Sequence, residues 1–180
     1  MARCFIGFLV PEEAKVEIGK IIEELKRLPM DCKFVEGKNL HLCFSFLGEV
    51  EDENIKNISA GVDSTASSQP SFEVRIHGMK MIPNERYIRV LALDVEGGTP
   101  LMEMTKHIQK EIGGDAKPPH LTLCRVKSIK SKEAVIESLK KLQDGEVTRF
   151  TVGSIQLIKS ELNKSGPAYA VIHESNLNAG

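Results

Sequence analysis

Two short stretches of this chain constrain its fold more than any other feature. "NLHLCFSFLG" at 39–48 and "PPHLTLCRVK" at 118–127 each alternate apolar and small or polar residues around one histidine. His120 follows His41 by 79 positions. Each stretch is third in a series of strand, helix, histidine strand, helix, strand, one series over about 1–85 and the other over about 86–180. Such an internal repeat predicts two α+β lobes related by an approximate two-fold axis, each with a mainly antiparallel sheet and helices packed outside. The two histidine strands then face each other across a central cleft.

The remaining elements follow from periodicity and punctuation. "RCFIGFLV" at 3–10 reads as a buried strand, and Pro11 with Glu12 and Glu13 opens a helix that closes near Lys26 and Arg27. A short strand covers 32–36 and the first histidine strand 40–47. A helix covers 51–62, and the polar run 64–71 reads as a loop. Strands follow at 72–82 and 86–95. Thr99 reads as the N-cap of a helix that ends before Gly113. The second histidine strand covers 120–126, a helix 131–142, and a single strand 147–158. "KSELNKSGPAY" at 159–169 reads as a loop before a last strand at 168–174.

Composition narrows the function classes. The chain has 180 residues, which suits one domain of two lobes spanning 1–180, and a net charge of −1. That charge excludes the broad basic surface that tracks long nucleic-acid backbones, so recognition of nucleic acid must be local, at an end or a single phosphate. No apolar run reaches the roughly 18 residues of a membrane-spanning helix. The N-terminal apolar stretch is broken at once by Pro11 and two glutamates, unlike a signal peptide. The expectation is a soluble, cytoplasmic monomer. Cys4, Cys32, Cys43 and Cys124 form no C-x-x-C pair and read as small buried hydrophobes. No metal site and no cofactor are expected.

On a strand, side chains alternate between faces. Strict alternation puts Leu40, Leu42, Phe44 and Phe46 on an apolar face and His41, Cys43 and Ser45 on the other. In the second stretch Leu121 and Leu123 oppose His120, Thr122 and Cys124. Two imidazoles facing one phosphate can divide proton transfer, since each gives or takes a proton near neutral pH. Hydroxyls beside them can hold the phosphate oxygens in line. The scheme suits a strained cyclic phosphodiester, whose leaving oxygen stays tethered.

These paired stretches resemble the H-x-T/S motifs of the two-histidine phosphoesterase superfamily. The chain is more specifically similar to the RNA 2′,3′-cyclic phosphodiesterases, or 2′-5′ RNA ligases, of bacteria and archaea. "FIGFLVPEE", "FVEGKNLHL", "FLGEV", "IPNERYIRV", "PHLTLCRVK" and "LIKSELNKSGPAY" carry the resemblance over nearly the whole length. It implies a bilobal α+β fold and hydrolysis of an RNA terminal 2′,3′-cyclic phosphate to a 2′-phosphate. It makes His41 the proton donor, His120 the proton acceptor, and Thr122, Cys43 and Arg125 the phosphate-binding residues. Its substrates would be RNA 3′ ends or small cyclic nucleotides. Phe46, Arg89 and Tyr169 are candidates for the cleft wall or for base contacts.

One departure from the family pattern and one difficulty of geometry stand out. Cys43 occupies a position where the family has Thr or Ser, and a thiol is a weak donor. Arg125, five residues after His120, falls on the wrong face under strict alternation and needs a bulge or a detour to reach the phosphate. Three other outcomes use the same residues: reversible 2′-5′ ligation, cleavage of other cyclic or 2′,5′ phosphodiesters, and an RNA- or nucleotide-binding module without catalysis.

Overall fold

Each histidine strand lies in its own antiparallel sheet, and the two sheets share one hydrophobic core. The structure, a computed structural model, describes residues 1–142, 145–163 and 166–179. The strands are β1 (Ala2–Leu9), β2 (Met30–Phe34), β3 (His41–Val50), β4 (Phe72–Asn84), β5 (Tyr87–Glu96), β6 (His120–Ile129), β7 (Glu146–Val152), β8 (Ser154–Asn163) and β9 (Gly166–Asn176). The helices are α1 (Glu12–Lys26), α2 (Ile55–Ser67), α3 (Gly98–Glu111) and α4 (Lys132–Lys140). One sheet has the order β3-β1-β8-β9, the other β2-β6-β5-β4-β7. The expected two-lobed α+β fold with one histidine strand per sheet is therefore present. The sheets nonetheless take strands from both ends of the chain: β2 and β4 join the His120 sheet, and β8 and β9 join the His41 sheet.

The helices fasten the lobes together. Ala14, Ile18, Ile22 and Leu25 recur at helical spacing along α1 and are buried. They pack on β2 and β7, in the sheet opposite to that of β1 and β3. In the same way α3, which precedes β6, packs on β3 of the other sheet and on α2. The helix upstream of each histidine strand thus rests on the sheet of the other histidine. No described helix is long and apolar enough to cross a membrane.

Four sequence expectations need correction. The stretch 147–158 is two strands, because Gly153 breaks it: β7 ends at Val152 on the edge of one sheet and β8 starts at Ser154 in the middle of the other. The supposed loop 159–169 is mostly β8 and β9 paired from Asn163–Gly166 outward; residues 164 and 165 at its tip lie outside the described residues. The polar run after 62 is the second half of α2, where Thr65 and Ala66 are buried, so helix packing overrides its low propensity. Thr99 lies inside α3, which Gly97 caps.

The decisive local feature is a pair of matching β-bulges. Along β3, Ser45 opposes Ile6 and Cys43 opposes Gly7, so Phe44 is an extra residue. Along β6, Cys124 opposes Leu91 and Thr122 opposes Ala92, so Leu123 is extra. Both fall three residues after the histidine. A bulge places two consecutive side chains on one face and reverses alternation beyond it. Phe44 with Ser45, and Leu123 with Cys124, are accordingly all buried. Full burial of Leu42, Phe44, Leu121 and Leu123 contributes about 1.5–3 kcal/mol each, enough to offset a locally broken ladder.

Gly7 fits this geometry closely. A Cβ there would lie 2.3 Å from the Leu42 carbonyl oxygen and 3.1 Å from the Phe5 ring. Gly7→Ala should therefore lower unfolding free energy by about 1–3 kcal/mol, the range for overpacking. Urea denaturation checks this, and an unchanged midpoint contradicts it.

Candidate active site

Both histidines are the first residues of their strands. The His41 Nδ1–H donates to the Asn39 carbonyl at 2.7 Å, and the His120 Nδ1–H to the Pro118 carbonyl at 3.3 Å. A carbonyl oxygen can only accept, so Nδ1 carries the hydrogen and Nε2 is left free for chemistry in both rings. The same backbone position, two residues upstream, sets both tautomers.

The His41 ring is enclosed. Phe5 lies tilted against it with centroids 4.7 Å apart, and Tyr169 of β9 meets it edge-on at 5.0 Å. Asn39 is buried, and its side-chain amide donates to the Pro167 carbonyl at 2.7 Å, which ties the start of β9 to the turn that holds His41. Burial lowers the His41 pKa from its ordinary value; the Asn39 carbonyl opposes this, and the charge of His120 adds to it. That last effect places the two imidazoles within electrostatic reach of each other.

Directly opposed residues of an antiparallel pair share a face. Cys43 and Thr122 therefore stand beside Gly7 and Ala92. Burial, and next the Asp115 carboxylate, push the Cys43 thiol up to about 11. It is a neutral thiol at physiological pH, not a thiolate nucleophile. The bulge resolves the position of Arg125: parity reverses after Cys124, so Arg125 is exposed on the side of His120 and Thr122. Its charge reaches the Tyr169 hydroxyl, which burial otherwise makes less acidic.

The other bulge corrects two assignments. Ser45 is not on the His41 face; it is fully buried and its hydroxyl donates to the Gly113 carbonyl at 2.7 Å. Phe46 is not core; it is 38% exposed, and the Arg3 guanidinium lies 5.1 Å above its ring. Phe46 thus occupies on β3 the place that Arg125 occupies on β6. Cys124 likewise leaves the His120 face for the core. Arg89 is the extra residue of a bulge on β5; its guanidinium stacks 4.8 Å from the Tyr87 ring and donates to its hydroxyl at 2.7 Å. His77, His107 and His173 are engaged elsewhere, near Glu96, Gln69 and Asp63.

Sequence reasoning missed Lys33. On β2 it opposes Arg125, so the two cations share the cleft face, and a Cβ on Gly166 of β9 would lie 3.5 Å from its ammonium. The signal was out of reach because nothing in a five-residue strand states that it docks beside β6. Also unforeseen is a recess of about 920 Å³ at the segment leading into β6, bordered by Asp94, Met102, Lys106, Lys117, Pro118 and Pro119; neither His41 nor His120 lines it. Among the described residues, no group of three or more His, Cys, Asp or Glu side chains is placed to hold a metal ion.

Facing strands that each carry a clamped imidazole and a small side chain two residues on define a two-histidine phosphoesterase. The sequence matches the family described as LigT like Phosphoesterase over residues 8–92 and 95–169, and the chain belongs to that family. It is 35% identical over 178 residues to an RNA 2′,3′-cyclic phosphodiesterase of Methanocaldococcus jannaschii, covering 96% of this chain and 99% of that one. It is 32% identical over 173 residues to the protein of the same name in Methanothermobacter thermautotrophicus, covering 93% and 94%. The fold superposes on the crystal structure of TT0787 of Thermus thermophilus with a TM-score of 0.83 at 22% identity, and on Escherichia coli LigT complexed with 3′-AMP with a TM-score of 0.78 at 21% identity; each comparison covers 98% of both chains.

The thiol's raised pKa has a direct readout. Cys43 should alkylate with iodoacetamide much more slowly than a free cysteine at pH 8, with its rate rising until pH approaches about 11. Site-resolved mass spectrometry measures this; rapid labelling at neutral pH contradicts it.

Proposed function

We propose that this protein hydrolyses the 2′,3′-cyclic phosphate at an RNA 3′ end to a 2′-phosphomonoester. The observation that carries the reading is the matched pair of imidazoles on bulged strands, each with Nδ1–H on a backbone carbonyl and Nε2 free. The relatives named RNA 2′,3′-cyclic phosphodiesterase support the choice of substrate. His120 Nε2 takes a proton from the attacking water. The P–O3′ bond breaks as the new P–O bond forms, and His41 Nε2–H gives its proton to O3′. Thr122 and Arg125 hold the non-bridging oxygens, while Lys33 lies beside them for an adjoining backbone phosphate. Cys43 offers a weak third contact. Phe46, with Arg3 on its ring, and Tyr169 form the aromatic walls against which a base can stack.

Residues 1–180 work in this reading as one catalytic unit, since each sheet supplies one histidine and the site is complete in a monomer. We assign it to the cytoplasm, acting on RNA ends or small cyclic nucleotides. The reaction as drawn needs neither metal nor cofactor.

Substituting either His41 or His120 by Ala should lower turnover of an RNA with a 2′,3′-cyclic end by about 10²–10⁴-fold, the contribution of one positioned acid or base. Product analysis by chromatography should show a 2′-phosphate. A ligated product or a 3′-phosphate contradicts the assignment, as does full activity in either variant.

The depressed His41 pKa adds a pH signature. As the acid, His41 must be protonated, so kcat/KM falls as pH rises through its lowered free-protein value. A bound phosphodiester anion favours the imidazolium. The alkaline limb of kcat should therefore lie at higher pH than that of kcat/KM. Coincident limbs, or the reverse order, would remove His41 from the acid role.

A further inference from the structure

The two halves of the site are unequal in what they offer a phosphate. On β6, Thr122 brings a hydroxyl and Arg125 a guanidinium. On β3 the matching positions are Cys43 and Phe46, a neutral thiol and an aromatic ring. The His41 half therefore lacks both a strong donor and a cation from its own strand.

A cation arrives there from the segment that leads into β6. Phe46 N–H donates to the Asp115 carbonyl at 3.1 Å, and Asp115 N–H donates to the Phe46 carbonyl at 2.8 Å, so this segment pairs antiparallel with β3. Ser45 and Gly113 reinforce the pairing through their own hydrogen bond. Two residues further along an antiparallel pair stand opposite two residues back on the partner. The bridge is a single pair, but its direction carries the chain from Asp115 toward the Cys43 end of β3, so Lys117, two residues on, comes within electrostatic reach of Cys43. The Asp115 carboxylate holds the Lys117 ammonium at 2.9 Å. Both charges act on the Cys43 thiol, Asp115 raising its pKa and Lys117 lowering it. Lys117 is exposed, so its ammonium is accessible from solvent.

We infer that Lys117 is a substrate-binding residue that contacts the phosphate from the His41 side, taking over from the hydroxyl that Cys43 does not supply. The inference rests on the phosphodiesterase reading above. Its ammonium donates to a non-bridging oxygen, and it neutralises Asp115, whose carboxylate would otherwise repel the anionic substrate. Arg3 is another cation near this half, and its guanidinium lies over the Phe46 ring.

A double-mutant cycle tests the assignment. Lys117→Met should lower kcat/KM for a 2′,3′-cyclic-phosphate RNA about tenfold or more, as the loss of a charge-assisted contact does. In a Cys43→Thr background the same change should cost about twofold or less, because the restored hydroxyl carries the contact. Lys117→Arg should retain activity, and Arg3→Met should have the same effect in both backgrounds. Lys117 is exposed, so these variants should keep their thermal midpoint. Equal effects of Lys117→Met in the two backgrounds overturn the inference, as does coupling of Cys43 to Arg3 instead. Affinity for adenosine 2′-monophosphate, measured by calorimetry on the same proteins, separates the two claims. Coupling in binding without turnover refutes the activity and keeps the contact; turnover without coupling keeps the activity and refutes the contact.

Discussion

The extra residue three places after each histidine is the constraint on which the site depends. Without it, a strand that presents His120 and Thr122 to the cleft would bury Arg125 and expose Cys124. With it, the chain presents histidine, small residue and a fifth-position residue on one side while Leu121, Leu123 and Cys124 stay in the core. The same rule on β3 buries Ser45 and exposes Phe46. One backbone irregularity, made twice, converts a two-residue period into a three-point grip. The fully buried leucines and Phe44 keep it in place, because sliding either strand by one residue would expose them.

The aromatic enclosure of His41 and the freedom of His120 give two like residues different characters. Phe5, Tyr169 and the backbone carbonyl of Asn39 surround the first. The second has a longer hydrogen bond to its carbonyl. In the proposed reaction the enclosed imidazole is the acid and the other the base, so the difference in surroundings goes with a difference in role. Sequence symmetry supplied the pair, and the asymmetric packing of β9 separated their surroundings.

Much of this was legible before the structure. The strands with histidines, the helices α1 and α3 and the two-lobed plan follow from periodicity and from repeated order. The pairing of strands did not, because the single run 147–158 conceals a sheet change at Gly153, and β2 carries no mark of its partner. Phe46 and Ser45 were misplaced for one reason: strict alternation has no means of showing a bulge, which depends on how β1 fits against β3. Arg125 was the warning, since a functional arginine on the wrong face asked for such a bulge. Lys33 and Lys117 stayed hidden because their places depend on pairings between segments far apart in sequence, β2 with β6 and Asp115 with Phe46.

The order β3-β1-β8-β9 carries a consequence for how the molecule is made. β1 has β3 on one edge, which follows it closely, and β8 on the other, which follows about 150 positions later. During synthesis that second edge stays open while the five strands of the other sheet emerge. The His41 sheet, together with the Tyr169 side of its enclosure, is thus among the last parts to close, and an unpaired edge next to buried Ile6 is the segment most open to mispairing in the interval. A nascent chain would hold His120 on a nearly finished sheet well before His41 gains its aromatic wall, so competence would come late and all at once.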